Sequence, residues 1–149
     1  MHQSLCTRQN GFTILELLIA VVIMFVMAAF ALPKMSAAIA AHRVIASVRT
    51  TASHVRLVRA TAIGRNAPAR LQLVQGGTIL GIQVLKNGTW TTTGSEMPLD
   101  RGVVVTATPN PVVFQPQGSA QSSATITVTG ETGARREIAV SILGSVEIH

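Results

Sequence analysis

The chain has 149 residues and one cysteine, and its Lys and Arg residues outnumber Asp and Glu by twelve to six. With Cys6 alone no disulfide can form within the chain, and no Cys/His cluster has the spacing of a metal site, so we expect no metal and no cofactor. Aromatic residues are scarce, so the sequence lacks the aromatic stacking surfaces that are typical of single-strand nucleic-acid binders.

The first predicted element is an apolar segment, residues 12–32, in which an uninterrupted apolar run begins directly after Glu16. As a helix this segment would be about 32 Å long, enough to cross a bilayer core of roughly 30 Å. We therefore expect a transmembrane helix over residues 12–32. A carboxylate at membrane depth costs free energy, so Glu16 is a candidate functional residue with a partner to be found.

A cleaved secretory signal peptide is the competing interpretation of this segment. Arg8 precedes the apolar run, and Ala29 with Ala31 supplies an A-x-A pattern on its far side. However, the run is longer than the roughly 7 to 15 residues of a signal core, and Glu16 lies within its first turns. Both features favour a helix that is retained.

The stretch GFTILELLIAVVIM resembles the class III signal of type IV pilins and type II secretion pseudopilins. The resemblance implies that residues 1–11 are a leader, that prepilin peptidase cuts between Gly11 and Phe12, and that Phe12 becomes an N-methylated terminus. It also implies that Glu16 is the assembly residue, which pairs with the terminal ammonium of a neighbouring subunit. Such a pair at about 4 Å attracts by roughly 4 kcal/mol at an effective dielectric constant of 20. Pro33, the other predicted assembly residue, falls where many pilins have a helix-kinking proline.

Beyond Pro33, apolar residues recur at steps of three and four, which predicts an amphipathic helix over residues 33–64. The predicted buried stripe comprises Ala41, Val44, Ile45, Val48, Ala52, Val55, Val58 and Ala62. Arg59 falls inside the stripe, where its stem can pack while its head reaches out. Gly64 and the segment Asn66 to Pro68 are expected to end the helix.

Residues 65–149 consist of short β-branched runs separated by Gly, Pro, Asn and Ser, which predicts a β domain. The runs are RLQLVQ, TILGIQVL, GVVVTA, PVVFQ, ATITVTG and REIAVSIL. Asn87 and Gly88 predict a hairpin turn, and we expect the neighbouring Trp90 to be a packing residue. The predicted fold class is α+β and pilin-like, with a long N-terminal helix packed on a C-terminal antiparallel β domain.

The stretch RLVRATAIGRNAPARLQL resembles the helix end and first strand of the GspH/FimT pseudopilin family. The resemblance implies a minor pseudopilin, anchored once in the bacterial inner membrane with its C-terminal domain in the periplasm. Such a subunit joins other major and minor pseudopilins at or near the tip of a type II secretion pseudopilus, which supports protein export. The alternative is a FimT-like minor pilin of a type IV pilus, some of which bind DNA in natural transformation.

The DNA-binding members of this family carry a Gly-Arg-x-Arg element in their last strands. The equivalent stretch here, Gly144 to Glu147, reads Gly-Ser-Val-Glu, so both arginines are missing. We therefore expect no nucleic-acid partner, although Arg135 and Arg136 are a candidate for weak anion or DNA contact.

Catalytic groups in matched pairs are missing from the sequence. Asp100 is the only aspartate, and no Ser or Cys nucleophile has a recognisable His neighbour. We therefore expect no enzymatic activity, and expect the chain to be a substrate of prepilin peptidase instead.

Overall fold

The computed structural model describes residues 12–149, except for the side chains at 31–34, 36 and 37. The predicted leader, residues 1–11, lies outside the described residues together with the Gly11 side of the predicted cut. The chain divides into two compact units, Met1–Ser36 and Ala37–His149.

The only α-helix in the described residues, α1, spans Ile14–Arg65. Thr13 caps its first turn, because the Thr13 hydroxyl oxygen accepts the backbone N–H of Glu16 at 3.1 Å. The helix assignment continues through Pro33, as the sequence pattern beyond that residue predicts. The kink at Pro33 stays a prediction.

Within the part of the chain that the structure describes, no helix is long and apolar enough to cross a membrane. The assignment of residues 12–32 to the membrane stays a prediction.

The helix ends at Arg65, one residue after the predicted bound, and backbone hydrogen bonds show why. Asn66 has a positive φ of 47°, which L-residues other than Asn and Asp rarely adopt. Its N–H donates to Ile63 O at 3.1 Å, and the N–H of Ala67 donates to Ala62 O at 3.2 Å. This pair of bonds is a Schellman motif, which satisfies two of the last helical carbonyls. Pro68 follows, where the helix can no longer continue.

The buried face of α1 agrees with most of the predicted stripe. Its buried apolar residues are Val44, Val48, Ala52, Val55, Val58 and Ala62. Ala41 and Ile45 were wrongly included, because both are exposed. Ser47 and Thr51 are buried in the same face; Thr51 donates to Ser47 O at 2.7 Å, and Ser47 donates to Asp100 Oδ2 at 3.2 Å. Their hydroxyl groups are satisfied, so the cost of burying them is small.

Within residues 12–149, nine strands form two antiparallel sheets. The first sheet has the order β3-β2-β1-β6, with β4 also pairing with β2, and the second has the order β5-β7-β8-β9. A 3₁₀ turn, Gln75–Gly77, joins β1 to β2. The strands are β1 Ala69–Val74, β2 Ile79–Lys86, β3 Thr89–Thr92, β4 Met97–Pro98, β5 Val103–Thr108, β6 Val112–Phe114, β7 Ala124–Gly130, β8 Arg135–Val140 and β9 Val146–Ile148.

The inward-facing side chains of both sheets and of α1 share one hydrophobic core. Phe114 is the largest fully buried side chain of this core. The alternation of buried and exposed residues along β5 and β7 has the period of two that a sheet with one solvated face requires. The strand contribution to the core is Ala69, Leu71, Leu80, Ile82, Val84, Val103, Val105, Val112, Phe114, Ala124, Ile126, Val128, Ile138 and Val140. The predicted α+β fold class is confirmed.

The predicted hairpin between β2 and β3 is confirmed. Asn87 and Gly88 have φ values of 51° and 78°, the two positive values of a type I′ turn. Trp90 is partly buried, and the Arg70 guanidinium lies 4.4 Å from its ring centroid. Trp90 therefore packs within the sheet surface, as expected.

The run REIAVSIL is shorter as a strand than its composition suggests. β8 ends at Val140, and the chain turns through Ser141, Ile142, Leu143 and Gly144 before β9 begins. The N–H of Gly144 donates to Ser141 O at 2.9 Å, which closes this turn. Two large apolar side chains thus lie on an exposed turn instead of in a strand.

Candidate assembly surfaces

The first candidate surface comprises Phe12 and the N-terminal part of α1, where apolar side chains are exposed on all sides of the helix. Phe12 is 83% exposed. A continuous apolar surface of this kind is typical of a segment that lipid or other protein chains cover. Its exposed members are Phe12, Ile14, Leu15, Leu17, Leu18, Ile19, Val21, Val22, Ile23, Met24, Phe25, Val26, Met27 and Phe30.

Glu16 lies in the first turn of α1 and is exposed. Its negative charge is favourable there because the N-terminus of a helix carries partial positive charge. Thr13 and Glu16 have the spacing of a capping box, in which the Glu side chain would reach back to the N-cap N–H. Of the two hydrogen bonds of a capping box, only the one from the Glu16 N–H to the Thr13 hydroxyl oxygen is present among the described residues. The Glu16 carboxylate is therefore accessible to a partner outside the chain.

Arg59 joins α1 to both sheets. Its Nε donates to Gly118 O at 2.9 Å, and its Nη1 donates to Gly144 O at 3.1 Å. Gly118 follows β6 of the first sheet, whereas Gly144 lies in the turn between β8 and β9 of the second. The sequence predicted that the head of Arg59 reaches outward; its guanidinium instead binds two backbone carbonyls at the edge of the core.

Both carbonyls belong to glycines, because the backbones approach closely at this point. Gly118 and Gly144 have positive φ values of 87° and 81°. A Cβ atom at Gly144 would collide with the carbonyl oxygen of Gly118 and would lie 2.9 Å from Arg59 Nε. Sequence reasoning missed this cluster, although Arg59 lies in the stretch RLVRATAIGRNAPARLQL, whose resemblance to the GspH/FimT family was a signal for it.

The structure does not bring Arg135 and Arg136 together on one surface. Arg135 forms an exposed ion pair with Glu137, with Nη2 and Oε1 at 2.8 Å. Arg136 is in register with the buried Val128, on the opposite face of β8. The predicted anion or DNA contact at these two residues stays a prediction.

The turn between β8 and β9 presents apolar side chains. Ile142 is 59% exposed and Leu143 is 81% exposed. The turn is held in place because Ala120 N–H donates to Ile142 O at 2.8 Å and Arg59 binds Gly144 O. The surface is thus apolar directly before Gly144 to Glu147, the stretch where the resemblance would place an arginine-rich DNA contact.

Comparisons with solved structures agree with this fold. The type IV minor pilin FimU of Pseudomonas aeruginosa has a TM-score of 0.63 at 14% identity, over 72% of this chain and 89% of that chain. The minor pseudopilin EpsH from the type 2 secretion system of Vibrio cholerae has a TM-score of 0.59 at 12% identity, over 72% of this chain and 96% of that chain. At these identities the likeness shows the fold alone, and the predicted pilin-like fold is confirmed.

Two family models match the sequence itself. The prokaryotic N-terminal methylation motif matches residues 6–32, and the model for type II transport protein GspH matches residues 47–145. No curated protein is a significant sequence relative of the chain. Because the second model covers most of the sequence, the chain belongs to the GspH family of type II transport proteins.

Proposed function

We propose that the chain is a minor pseudopilin, a structural subunit at or near the tip of a type II secretion pseudopilus that supports protein export. The observation that carries this proposal is the pairing, on one chain, of a methylation motif at residues 6–32 with a GspH domain at residues 47–145. The methylation motif supports processing by prepilin peptidase and assembly into a filament. The GspH domain supports the identification of the subunit as a minor pseudopilin. The chain acts as a structural component and is itself the substrate of an enzyme, prepilin peptidase.

In this proposal the subunit is first inserted in the inner membrane, with residues 12–32 as its single anchor and the β domain in the periplasm. Prepilin peptidase cuts between Gly11 and Phe12 and methylates the new terminus. The exposed apolar surface of α1 then passes from lipid to the helices of other major and minor pseudopilins. This exchange keeps apolar side chains away from water in both states.

Glu16 supplies the electrostatic contact of assembly in this proposal. Its carboxylate is exposed at the helix start, four residues from the terminus that the cut creates. A neighbouring terminal ammonium can therefore meet it once the helices pack side by side. Pairing removes the cost of leaving a lone charge in an apolar surface, which fixes the register of the subunits.

The alternative, a FimT-like minor pilin that contacts DNA, is not favoured. Ser145 and Glu147 stand where the resemblance would place the two arginines, and the turn before β9 exposes Ile142 and Leu143. Arg135 and Arg136 lie on opposite faces of β8, and Glu137 already neutralises Arg135. Phosphate binding depends on several cations acting together, which this arrangement does not offer.

Two measurements test the proposed function. Mass spectrometry of the membrane form is expected to show a chain that begins at Phe12 in cells with prepilin peptidase and at Met1 in cells without it. Deletion of the gene is expected to lower export through the type II system and to leave type IV pili unchanged. An uncut chain in the presence of the peptidase, or loss of pili with normal export, would contradict the proposal.

A further inference from the structure

Strand β9 has one edge paired with β8 and one edge that is open. The N–H of His149 donates to Glu137 O at 2.9 Å, and the N–H of Ser141 donates to Ser145 O at 3.0 Å. Residues 145 and 149 therefore direct their backbone groups toward β8. Because this direction alternates along an antiparallel strand, Val146 and Ile148 direct their N–H and C=O groups to the other side. No backbone hydrogen bond on that side involves either residue in the described part of the chain.

The extent of the open edge is set by the cluster at Arg59. The backbone groups of Gly144 point to the same side as those of Val146 and Ile148, but the Gly144 carbonyl already accepts a hydrogen bond from Arg59. Ile142 O is likewise occupied, by the N–H of Ala120. The open stretch therefore begins after Gly144, and Val146 with Ile148 offers two donors and two acceptors.

A groove of about 440 Å³ lies between this strand and α1. Ile45, Val48 and Arg49 of α1 line it on one side, and Arg136, Ile148 and His149 line it on the other. Val48 is buried, whereas Ile45 and Ile148 are 39% and 47% exposed. An open strand edge beside a helix is the arrangement by which sheet proteins accept an extended peptide as an extra strand.

Two cationic side chains, Arg49 and Arg136, line the groove. Neither Arg49 nor Arg136 belongs to an ion pair in the described part of the chain, where the arginine that does so is Arg135, with Glu137. The two arginines approach the groove from different elements, one from α1 and one from β8. A segment that enters between them is favoured if it carries a carboxylate.

We propose that this groove binds an extended segment of a partner protein, which adds to β9 as a further strand. Backbone groups of the segment pair with Val146 and Ile148. On the face toward α1, an apolar side chain of the segment packs on Ile45 and Ile148. A carboxylate two residues away on the same face meets Arg49 and Arg136. The proposal goes beyond the proposed function, since it holds whichever filament the subunit joins.

A designed peptide with this pattern tests the groove directly. The probe is fluorescein-labelled Thr-Glu-Thr-Val-Thr-Thr, added to the full chain in detergent micelles, with binding followed by fluorescence anisotropy. Saturable binding is expected, and a second peptide with Lys in place of Glu is expected to bind about tenfold more weakly because its charge opposes both arginines. Absence of saturable binding at millimolar peptide, or equal binding of the Lys peptide, would overturn the proposal.

Two adjacent arginines provide a matched control. Arg136→Gln is expected to weaken binding of the Glu peptide about threefold to fivefold, as for a partly exposed ion pair, whereas Arg135→Gln on the opposite face leaves it unchanged. Equal effects of the two variants would show that only net charge matters and would contradict the groove.

The open edge is tested by Ile148→Pro, which removes the outward N–H and leaves the bonds to β8 in place. Its binding is expected to fall, with an unchanged circular dichroism spectrum. Unchanged binding would exclude strand addition. If the spectrum changes, Arg49→Gln replaces this variant as the second test, and unchanged binding of Arg49→Gln would count against the groove.

Discussion

The guanidinium of Arg59 lies 3.1 Å from the carbonyl oxygen of Gly144, and its second bond, to Gly118 O, is 2.9 Å long. One side chain of α1 therefore holds the ends of both sheets through charge-assisted hydrogen bonds. The same bond to Gly144 occupies the outward carbonyl next to the open edge of β9. Arg59 thus both connects α1 to the two sheets and limits the length of the open edge of β9.

Replacement of Arg59 is expected to destabilise the domain. Arg59→Ala leaves two partly buried carbonyls without their charged donor, so the free energy of unfolding should fall by about 2 to 3 kcal/mol. Urea unfolding followed by the fluorescence of Trp90, the only tryptophan, measures the change. Arg56→Ala, one turn earlier and exposed, is the control and should stay within about 0.5 kcal/mol of the parent chain. Equal stability of the two variants would contradict the role of Arg59.

Substitution of Gly144 by alanine is expected to destabilise the domain more than the same substitution of Gly133, for a steric reason. Both glycines have positive φ, 81° and 78°, so an alanine at either position costs about 1 to 2 kcal/mol. A Cβ at Gly144 also collides with Gly118 O, whereas at Gly133 there is no atom of the described structure within 4 Å. Gly144→Ala should therefore lose about 1 to 3 kcal/mol more than Gly133→Ala. Similar losses in urea unfolding would show that the close approach can relax.

The parts of the fold that depend on local chemistry could be predicted from the sequence. Asn66 and Pro68 identified the helix end, and Asn87 with Gly88 identified a hairpin, because each acts through its own backbone preference. Ile45 was misplaced because periodicity gives the direction of a helix face and cannot show how far the sheet covers it. Ser47 lay outside the prediction because the partner of its buried hydroxyl, Asp100, is distant in sequence.

The candidate surfaces were predicted only in part, for the same reason. Glu16 and Phe12 belong to a contiguous motif, so sequence alone identified them. Arg135 and Arg136 were considered as a pair, but strand alternation places neighbours on opposite faces. The groove combines Arg49 with Arg136, which only the packing of α1 beside β8 and β9 brings together.

Asn66 is expected to contribute to stability through its backbone conformation. With φ at 47°, Asn66→Ala should lower the free energy of unfolding by about 1 kcal/mol, whereas Asn66→Gly should leave it nearly unchanged or raise it slightly. Urea unfolding of the two variants measures the difference. If the alanine variant is as stable as the glycine variant, the Schellman motif does not control the helix end.

Glu16 is expected to act in assembly, and a comparison with Thr13 separates this role from helix capping. Glu16→Gln keeps the size of the side chain and removes the charge, so incorporation into filaments should fall sharply while cleavage before Phe12 continues. Thr13→Ala removes the hydroxyl that accepts the Glu16 N–H, which should cost the helix start about 1 kcal/mol. If Glu16 served only the helix terminus, the two variants would lose incorporation to a similar extent. The subunit content of sheared filaments, with mass spectrometry of the N-terminus, measures both outcomes, and normal incorporation of Glu16→Gln would refute the charge contact.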